Sequence, residues 1–462
     1  MSIQTDIIVP VYNGFEELKK CVESIQKYTD LNKHRLILVD DKSPSPSILP
    51  YLKSIEGKGI YVIESPVNEG FSASVNKGMK YSDRDVILLN SDTVVTEGWV
   101  EKLIVCAYSK RAAATVTPLS NAATLCSVPE FLQDNPLPEG YSVDEMGALV
   151  EHCSLKRYPR ISVAVGFCMY IKREVLDKIG YFDAQTFGKG YGEENDFCHR
   201  AEKEGYIHLM CDDTFIYHKG TASFESEEKQ KLLEEHEHIL WQRHEEYVKE
   251  NGRYCEKNPN KDIQENIKLH LLLDWRKSGK LYLTDKFPED NHSLKTQNTD
   301  EKVFYAVRDE KSLLVRAFYK GQQVAFQFPM PIVGVCPAVA SEEEEKLLLD
   351  IMKAFGIALA EQIHGGNFAK ETLSVLQKTK LEDKAYDAKM ILRGYLLPKG
   401  KFLSENEEID GFYGERLEKL TQGYEELQRE AEVMGQELTN IYHSKRFKLA
   451  CAMEKIIRPL KK

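Results

Sequence analysis

From its start to about residue 224 the chain alternates short apolar runs with stretches whose apolar residues recur at helical spacing. Ile7 to Val11, Leu36 to Val39, Tyr61 to Ile63 and Val86 to Leu89 read as strands. Each is a continuous apolar run, the pattern of a strand buried on both faces. Between them, Leu18, Cys21, Val22, Ile25 and Tyr28 fall on one side of a helix, and Phe71 to Tyr81 predicts another that opens after Gly70. Strands joined by helical crossovers pair in parallel. The fold class expected is therefore α/β, a doubly wound, mostly parallel sheet. Such sheets bind ligands beyond the carboxyl ends of their strands, and the polar clusters of this chain stand at those ends.

The remainder has a different texture. Residues 225–258 are rich in Glu, Lys and His and predict an exposed helix packed outside the first domain. Residues 260–405 form an accessory α/β region. Lys302 to Val307 and Leu313 to Phe328 read as strands with a hairpin, and Glu342 to Ile363 and Phe368 to Lys378 as helices. Residues 413–443 carry Leu417, Leu420, Tyr424, Leu427, Ala431, Met434, Leu438 and Ile441 at alternating spacings of 3 and 4, the seam of a C-terminal coiled-coil helix. That seam implies a homo-oligomer. Residues 444–462 form a basic amphipathic tail suited to an anionic membrane surface.

Composition narrows the function classes. With 462 residues, several domains are expected. A net charge of -11 speaks against nucleic acid as a partner. No run of 18 apolar residues occurs, and the start, MSIQTDIIVPVYNG, has no basic segment followed by a long apolar one, so neither a membrane span nor a signal peptide is expected. The ten cysteines are scattered with no Cys-x-x-Cys pair, which points to buried thiols in a reducing cytoplasm rather than to disulfides or zinc.

Six polar clusters are candidates for chemistry: Pro10 to Gly14, Asp40-Asp41-Lys42-Ser43, Asn68-Glu69-Gly70 with Asn76, Asn90-Ser91-Asp92, Gly190 to Asp196, and Tyr217-His218-Lys219-Gly220. Singly, each reads as a turn or a helix start. In series they resemble the family 2 glycosyltransferases of the GT-A fold. The matching pieces are IIVPVYNG, LILVDDKSPS, NEGFSASVNKG, VILLNSDTVVTEGWVEKL, VAVGFCMYIKREVLDKIGYFD, YGEENDFCHRAEKEGY and FIYHKGTASF, which run through most of residues 3–224. The form YGEENDFCHRA is similar to the bacterial surface-polysaccharide branch, including rhamnosyltransferase-like members. Residues 345–378, with Gly365-Gly366, faintly resemble the first half of a GT-B transferase, although Gly-Gly after a helix is most simply a cap.

The resemblance implies a GT-A domain over residues 1–224 and an inverting, metal-dependent transfer. The sugar would move from a nucleotide-sugar donor to a glycan or lipid-linked glycan acceptor, at a cytoplasmic site peripheral to the inner face of the membrane. The family's Asp-x-Asp metal motif falls on Asn90-Ser91-Asp92. Asp92 is then the primary ligand and His218 the second, for Mn²⁺ or Mg²⁺, while Asn90 offers an oxygen without charge. The family's Glu-Asp pair falls on Glu193-Glu194. Glu194 stands where the catalytic base is expected, with Glu193 as the alternative. Asp196 caps the following helix or orients the acceptor. Pro10, Tyr12 and Asp41 line the donor pocket with Asp40 close by, Asn68 and Asn76 border it, and Gly166 lets backbone approach the sugar. Two other classes compete. A sugar-phosphate nucleotidylyltransferase would need a Gly-rich, Arg-containing opening that Pro10 to Gly14 lacks. A non-catalytic scaffold is favoured only by Asn90.

Overall fold

The computed structural model describes residues 3–395, apart from 189, 221–226, 289–301, 310–311, 331–336, 364–367, 369–371 and 379–384. The coiled-coil seam of 413–443, the basic tail of 444–462 and the Gly365-Gly366 cap lie outside the described residues.

Four parallel strands lead the chain: β1 (Thr5–Val11), β2 (Arg35–Asp40), β3 (Ile60–Glu64) and β4 (Asp85–Leu89). The intervening helices are α1 (Phe15–Tyr28), α2 (Ile48–Ile55) and α3 (Phe71–Tyr81). The continuous apolar runs follow from a two-sided core. Ile7 and Val9 of β1 pack with Leu18, Cys21, Val22 and Ile25 of α1, whereas Ile8 packs on the opposite layer with Val75 and Met79 of α3. A strand sandwiched in this way has no polar face to spare.

The sheet continues through β6 (Ala113–Leu119), β7 (Arg160–Ile161), β8 (Cys168–Ile171) and β9 (Ile207–Phe215), in the order β3-β2-β1-β4-β8-β6-β9-β7. Strand β8 runs antiparallel to β4 and β6, and β7 antiparallel to β9, so the eight-stranded sheet is mixed but mostly parallel. Strand order reverses where β1 lies between β2 and β4, the switch point at which a crevice opens beyond the strand ends. A separate two-stranded ribbon pairs β5 (Thr93–Val94) with β10 (Tyr217–His218) antiparallel beyond the end of β4.

Helices α4 (Trp99–Ser109), α5 (Val143–Cys153) and α6 (Arg173–Ile179) lie among these strands in sequence, helix α7 (Glu193–Lys203) precedes β9, and helix α8 (Glu227–Lys257) packs against α7. The backbone of α8 leaves helical geometry at His244. After α9 (Lys261–Leu273) comes a second, five-stranded sheet, built from Gly279–Thr284, Lys302–Arg308, Ser312–Tyr319, Gln322–Pro329 and Ile357–Gln362. The segment that leads into it, α9 and the turn after it, is held to the first part of the molecule by polar clasps. Arg157 meets both carboxylate oxygens of Asp262, and Arg276 bridges Glu145 and Asp274 while lying 3.6 Å over the Tyr141 ring.

One sequence expectation is corrected here. The predicted helix from Glu342 to Ile363 is a helix over Pro337–Ala354 followed by the strand Ile357–Gln362. The apolar letters IALA continue the helical pattern, but Gly356 adopts φ +62, and a Cβ there would stand 2.5 Å from the Trp275 carbonyl oxygen. The chain therefore turns at Gly356 and pairs in parallel with Gly279–Thr284.

All eight cysteines of the described residues are free, and seven are buried. Among those residues, no helix is long and apolar enough to cross a membrane.

Candidate active site

The β5–β10 ribbon joins two candidates far apart in sequence. Its register sets His218 opposite Thr93, so the His218 ring reaches Asp92 with Nε2 3.4 Å from Oδ1. The Lys219 amide donates to the Asp92 carbonyl (3.1 Å), which ties the two segments together again. His218 Nδ1 lies 2.7 Å from the Ala122 carbonyl oxygen, which can only accept, so Nδ1 carries the hydrogen. In the neutral ring, Nε2 is then a lone pair aimed at a carboxylate. A proton or a cation between them removes that repulsion. Burial works against charging the ring, yet Asp92 and the Ala122 carbonyl outweigh it and hold the His218 pKa above its usual value.

No cluster of three or more His, Cys, Asp or Glu suited to a metal occurs among the described residues. Asp92 and His218 alone suit a divalent ion whose other ligands are water and substrate phosphate oxygens, the usual arrangement for Mg²⁺. Their donor set, one carboxylate facing one imidazole lone pair, fits such an ion.

Two residues in sequence lead from this pair to the next. The Phe167 ring stacks on His218 at 5.2 Å, and the Phe167 carbonyl accepts the Asn90 amide at 2.8 Å. A side chain on its neighbour Gly166 would meet Cδ and Oε1 of Glu194 at 3.8 Å. Glu193 and Glu194 open α7 behind Gly192, where the helix N-terminus favours acids. Glu193 is buried and Glu194 partly so, and the Oε2 atom of each is sealed from solvent with no hydrogen-bond partner. Burial raises both pKa values, and the neighbouring Glu194 charge raises that of Glu193 further. Two adjacent carboxyls in a dry recess behave as a proton-holding pair.

The remaining predicted residues divide into two groups. Tyr12 is exposed just beyond β1, and Asn13 and Lys42 at the ends of β1 and β2 both have positive φ. Pro10 lies within β1 in register with Val39. Asp40 accepts the Ser43 amide (3.1 Å), which shapes the turn. Asp41 accepts the Glu69 and Gly70 amides, each at 2.8 Å, and so clips the exposed Asn68 loop to the end of β2. These residues lie at or near the carboxyl ends of β1 and β2, beside the switch point. Asn76 does not join them, because its amide group is engaged with the N–H and C=O of Phe182 (3.1 and 2.8 Å). Asp196 does not cap α7. The N-cap is Gly192, and Asp196 bonds Arg200, Arg243 and His244 instead.

Sequence reasoning missed Asn121. It is buried, accepts the His218 amide (2.9 Å) and donates to the His218 carbonyl (2.8 Å). It thereby sets the ribbon that presents the imidazole. Nothing in Ser120-Asn121-Ala122-Ala123 distinguishes it from an ordinary turn.

Residues 6–180 match the family described as glycosyl transferase family 2. Over those residues the chain is a family 2 glycosyltransferase segment. A low-salt glycan biosynthesis hexosyltransferase of Haloferax volcanii is 27% identical over 208 residues, 43% of this chain and 61% of that protein. An uncharacterized protein of Sinorhizobium fredii is 22% identical over 234 residues, 47% of this chain and 24% of that protein. The chain thus spans about a quarter of one curated relative's length and about three fifths of the other's. Among solved structures, that of GalNAc-T7 with UDP, GalNAc and Mn2+ is 14% identical and aligns with a TM-score of 0.40, covering 71% of this chain and 67% of that one. The matched segment of the glycosyltransferase domain includes Asp92 but stops before Glu193, Glu194 and His218. Those three lie on α7 and on the ribbon.

Proposed function

We propose that this chain transfers a hexosyl group from a nucleotide-sugar donor to a hydroxyl of a cell-surface glycan or its lipid-linked precursor. The transfer inverts the anomeric centre, takes place in the cytoplasm and uses a divalent metal. The observation that carries this reading is that consecutive residues lie beside both groups: a Cβ on Gly166 would stand 3.8 Å from Glu194, and the Phe167 ring stacks on His218. A carboxylate suited to take a proton and a cation-binding pair suited to a diphosphate thereby stand at the two ends of the Gly166–Phe167 step.

In the reaction the acceptor oxygen attacks the anomeric carbon, and a new C–O bond forms as the bond to the diphosphate breaks. The leaving nucleoside diphosphate keeps the electron pair, and the acceptor proton passes to the carboxylate of Glu194, or of Glu193 beside it. Burial favours this, since a carboxylate with a raised pKa is the stronger proton acceptor. Asp92 and His218 would hold the metal, which supplies Lewis-acid neutralisation of the diphosphate. The Asp41-clipped loop and Tyr12 shape the nucleoside side of the crevice. The relation to a hexosyltransferase over residues of this domain supports the hexosyl class.

The test is a thermal-shift and hydrolysis screen of UDP-, GDP- and dTDP-sugars with and without Mn²⁺. A ligand that binds only the folded chain raises its Tm by mass action. One nucleotide class should stabilise the protein in a Mn²⁺-dependent manner and be turned over. Absence of any nucleotide-dependent shift at millimolar ligand would overturn the reading.

A further inference from the structure

Helix α8 lies beyond the segment matched to the glycosyltransferase family, yet it grips the part of the chain that presents the two glutamates. His236, Leu240 and His244 recur at every fourth position, are all buried, and face α7 and the turn before it. His236 Nδ1 lies 2.6 Å from the Tyr191 carbonyl oxygen, so it donates there. The Leu240 methyl would be 3.2 Å from a Cβ on Gly192. His244 Nε2 is 3.0 Å from Asp196 Oδ1, and Arg243 reaches Asp183 and Thr186 at 2.9 Å each.

The turn so gripped is unusual. Gly190, Tyr191 and Gly192 have φ of 96, 68 and 106, three positive values in succession, and Glu193 follows at once. The two glycines adopt such angles freely, but a bulky aromatic residue in the left-handed region must be held there by its surroundings. The peptide carbonyl that His236 binds belongs to that residue.

We propose that His236 is a positioning residue for the transfer reaction. Its hydrogen bond to the Tyr191 carbonyl fixes the left-handed turn and, through it, the direction in which α7 presents Glu193 and Glu194 to the recess. This rests on the reading of the glutamate pair as the site of the base. Asn places an amide N–H close to where histidine places Nδ1–H, so His236→Asn retains the donor, whereas His236→Ala removes it.

The full-length chain serves for the test, with the nucleotide sugar turned over in the screen above. His236→Ala should lower kcat about 10- to 100-fold, since small displacements of a reacting group cost that much. Donor KM should stay within about twofold, because the nucleoside side of the crevice is untouched. His236→Asn should recover most of the loss. Hydrogen exchange, which needs no ligand, should be faster over 190–196 in His236→Ala than in the wild type and return toward wild type in His236→Asn. Unchanged kcat and unchanged exchange in His236→Ala overturn the proposal, as does a loss of kcat that His236→Asn leaves in place. If Glu193→Gln and Glu194→Gln both retain full turnover, the reading of the base fails instead, and the exchange measurement still decides whether His236 holds the turn.

Discussion

Glu194→Gln separates chemistry from binding most sharply, and its consequences extend to stability. Gln keeps the shape of the side chain beside Gly166 but cannot accept the acceptor's proton. A positioned base is typically worth about 10²–10⁴-fold, so turnover should fall by that factor, about 3–5 kcal/mol of transition-state stabilisation. Donor affinity should hold, because the crevice residues Tyr12 and Asp41 are unaltered. The wild-type rate should rise with pH through the pair's elevated pKa, since only the ionised carboxylate is a base. Its acidic limb should therefore sit above the ordinary carboxylate range.

The same elevation makes a second, independent statement. The folded state binds protons at this pair that the unfolded state has already released at pH values above the usual 4.5. Stability from the pair is fully present below that value and is lost as pH rises through the raised folded-state pKa values. Within that window each group contributes a slope approaching about -1.4 kcal/mol per pH unit. Glu194→Gln deletes one such group and lowers the pKa of its partner, because the Glu194 charge is part of what raises Glu193. Urea denaturation of both proteins across the window should give a shallower slope for the variant, with the variant the more stable toward neutral pH. Parallel slopes, or wild-type turnover in the variant, would refute the reasoning. If Glu193→Gln is the inactive variant and Glu194→Gln the active one, the roles within the pair are exchanged.

Three further outcomes follow from the site. Asp92→Ala should abolish metal-dependent nucleotide binding, read by calorimetry with Mn²⁺, yet change stability by less than about 1 kcal/mol, because its half-exposed carboxylate meets only the His218 ring at a long distance. Asn121→Ala should destabilise the fold by about 2 kcal/mol, from two lost hydrogen bonds at a buried position, and weaken Mn²⁺ binding as the ribbon loosens. Asp41→Ala should cost about 3 kcal/mol in denaturant titrations, as a buried carboxylate releases two amides, and should raise donor KM more than it lowers kcat.

The parts of the fold legible in the sequence were those where one force dominates. Ile7 to Val11 and Val86 to Leu89 must be apolar throughout because helices cover both faces of the sheet, so their letters alone declare strands. Phe71 to Tyr81 was bounded by Gly70 and a polar exit, and both ends agree with the observed helix. The strand Ile357–Gln362 was illegible because its burial follows neither period two nor a helical stripe, and only the turn at Gly356 excludes a continued helix. The site divides along the same line. Asp92 and His218, named in the sequence through the family resemblance, lie side by side at 3.4 Å. The Asn76 amide bonds the Phe182 backbone, and in sequence such an amide reads like one that bonds ligand. Asn121 and His236 act through backbone atoms of other residues, and such pairings leave no local mark on the chain.

The replacement of an expected aspartate by Asn90 takes on a physical sense in this setting. The backbone of position 90 carries a structural load that does not depend on its side chain. Its amide donates to Phe167, and its carbonyl accepts from the Thr93 hydroxyl at 2.8 Å and the Cys21 thiol at 3.7 Å. Burial holds that thiol protonated, with its pKa pushed up to about 12, so it remains a donor at any physiological pH. The turn that brings Asp92 to His218 therefore survives the exchange of Asp for Asn. What changes is charge. A further carboxylate on the Asp92 turn would add negative charge beside the Asp92–His218 pair and repel a diphosphate bound there wherever a cation did not screen it. A neutral amide keeps an oxygen available while lowering that repulsion. This shifts the work of binding the donor toward the backbone-clipped loop at Asp41 and the Asp92–His218 pair. Loss of either should then be felt more strongly in this chain than where two aspartates share the load.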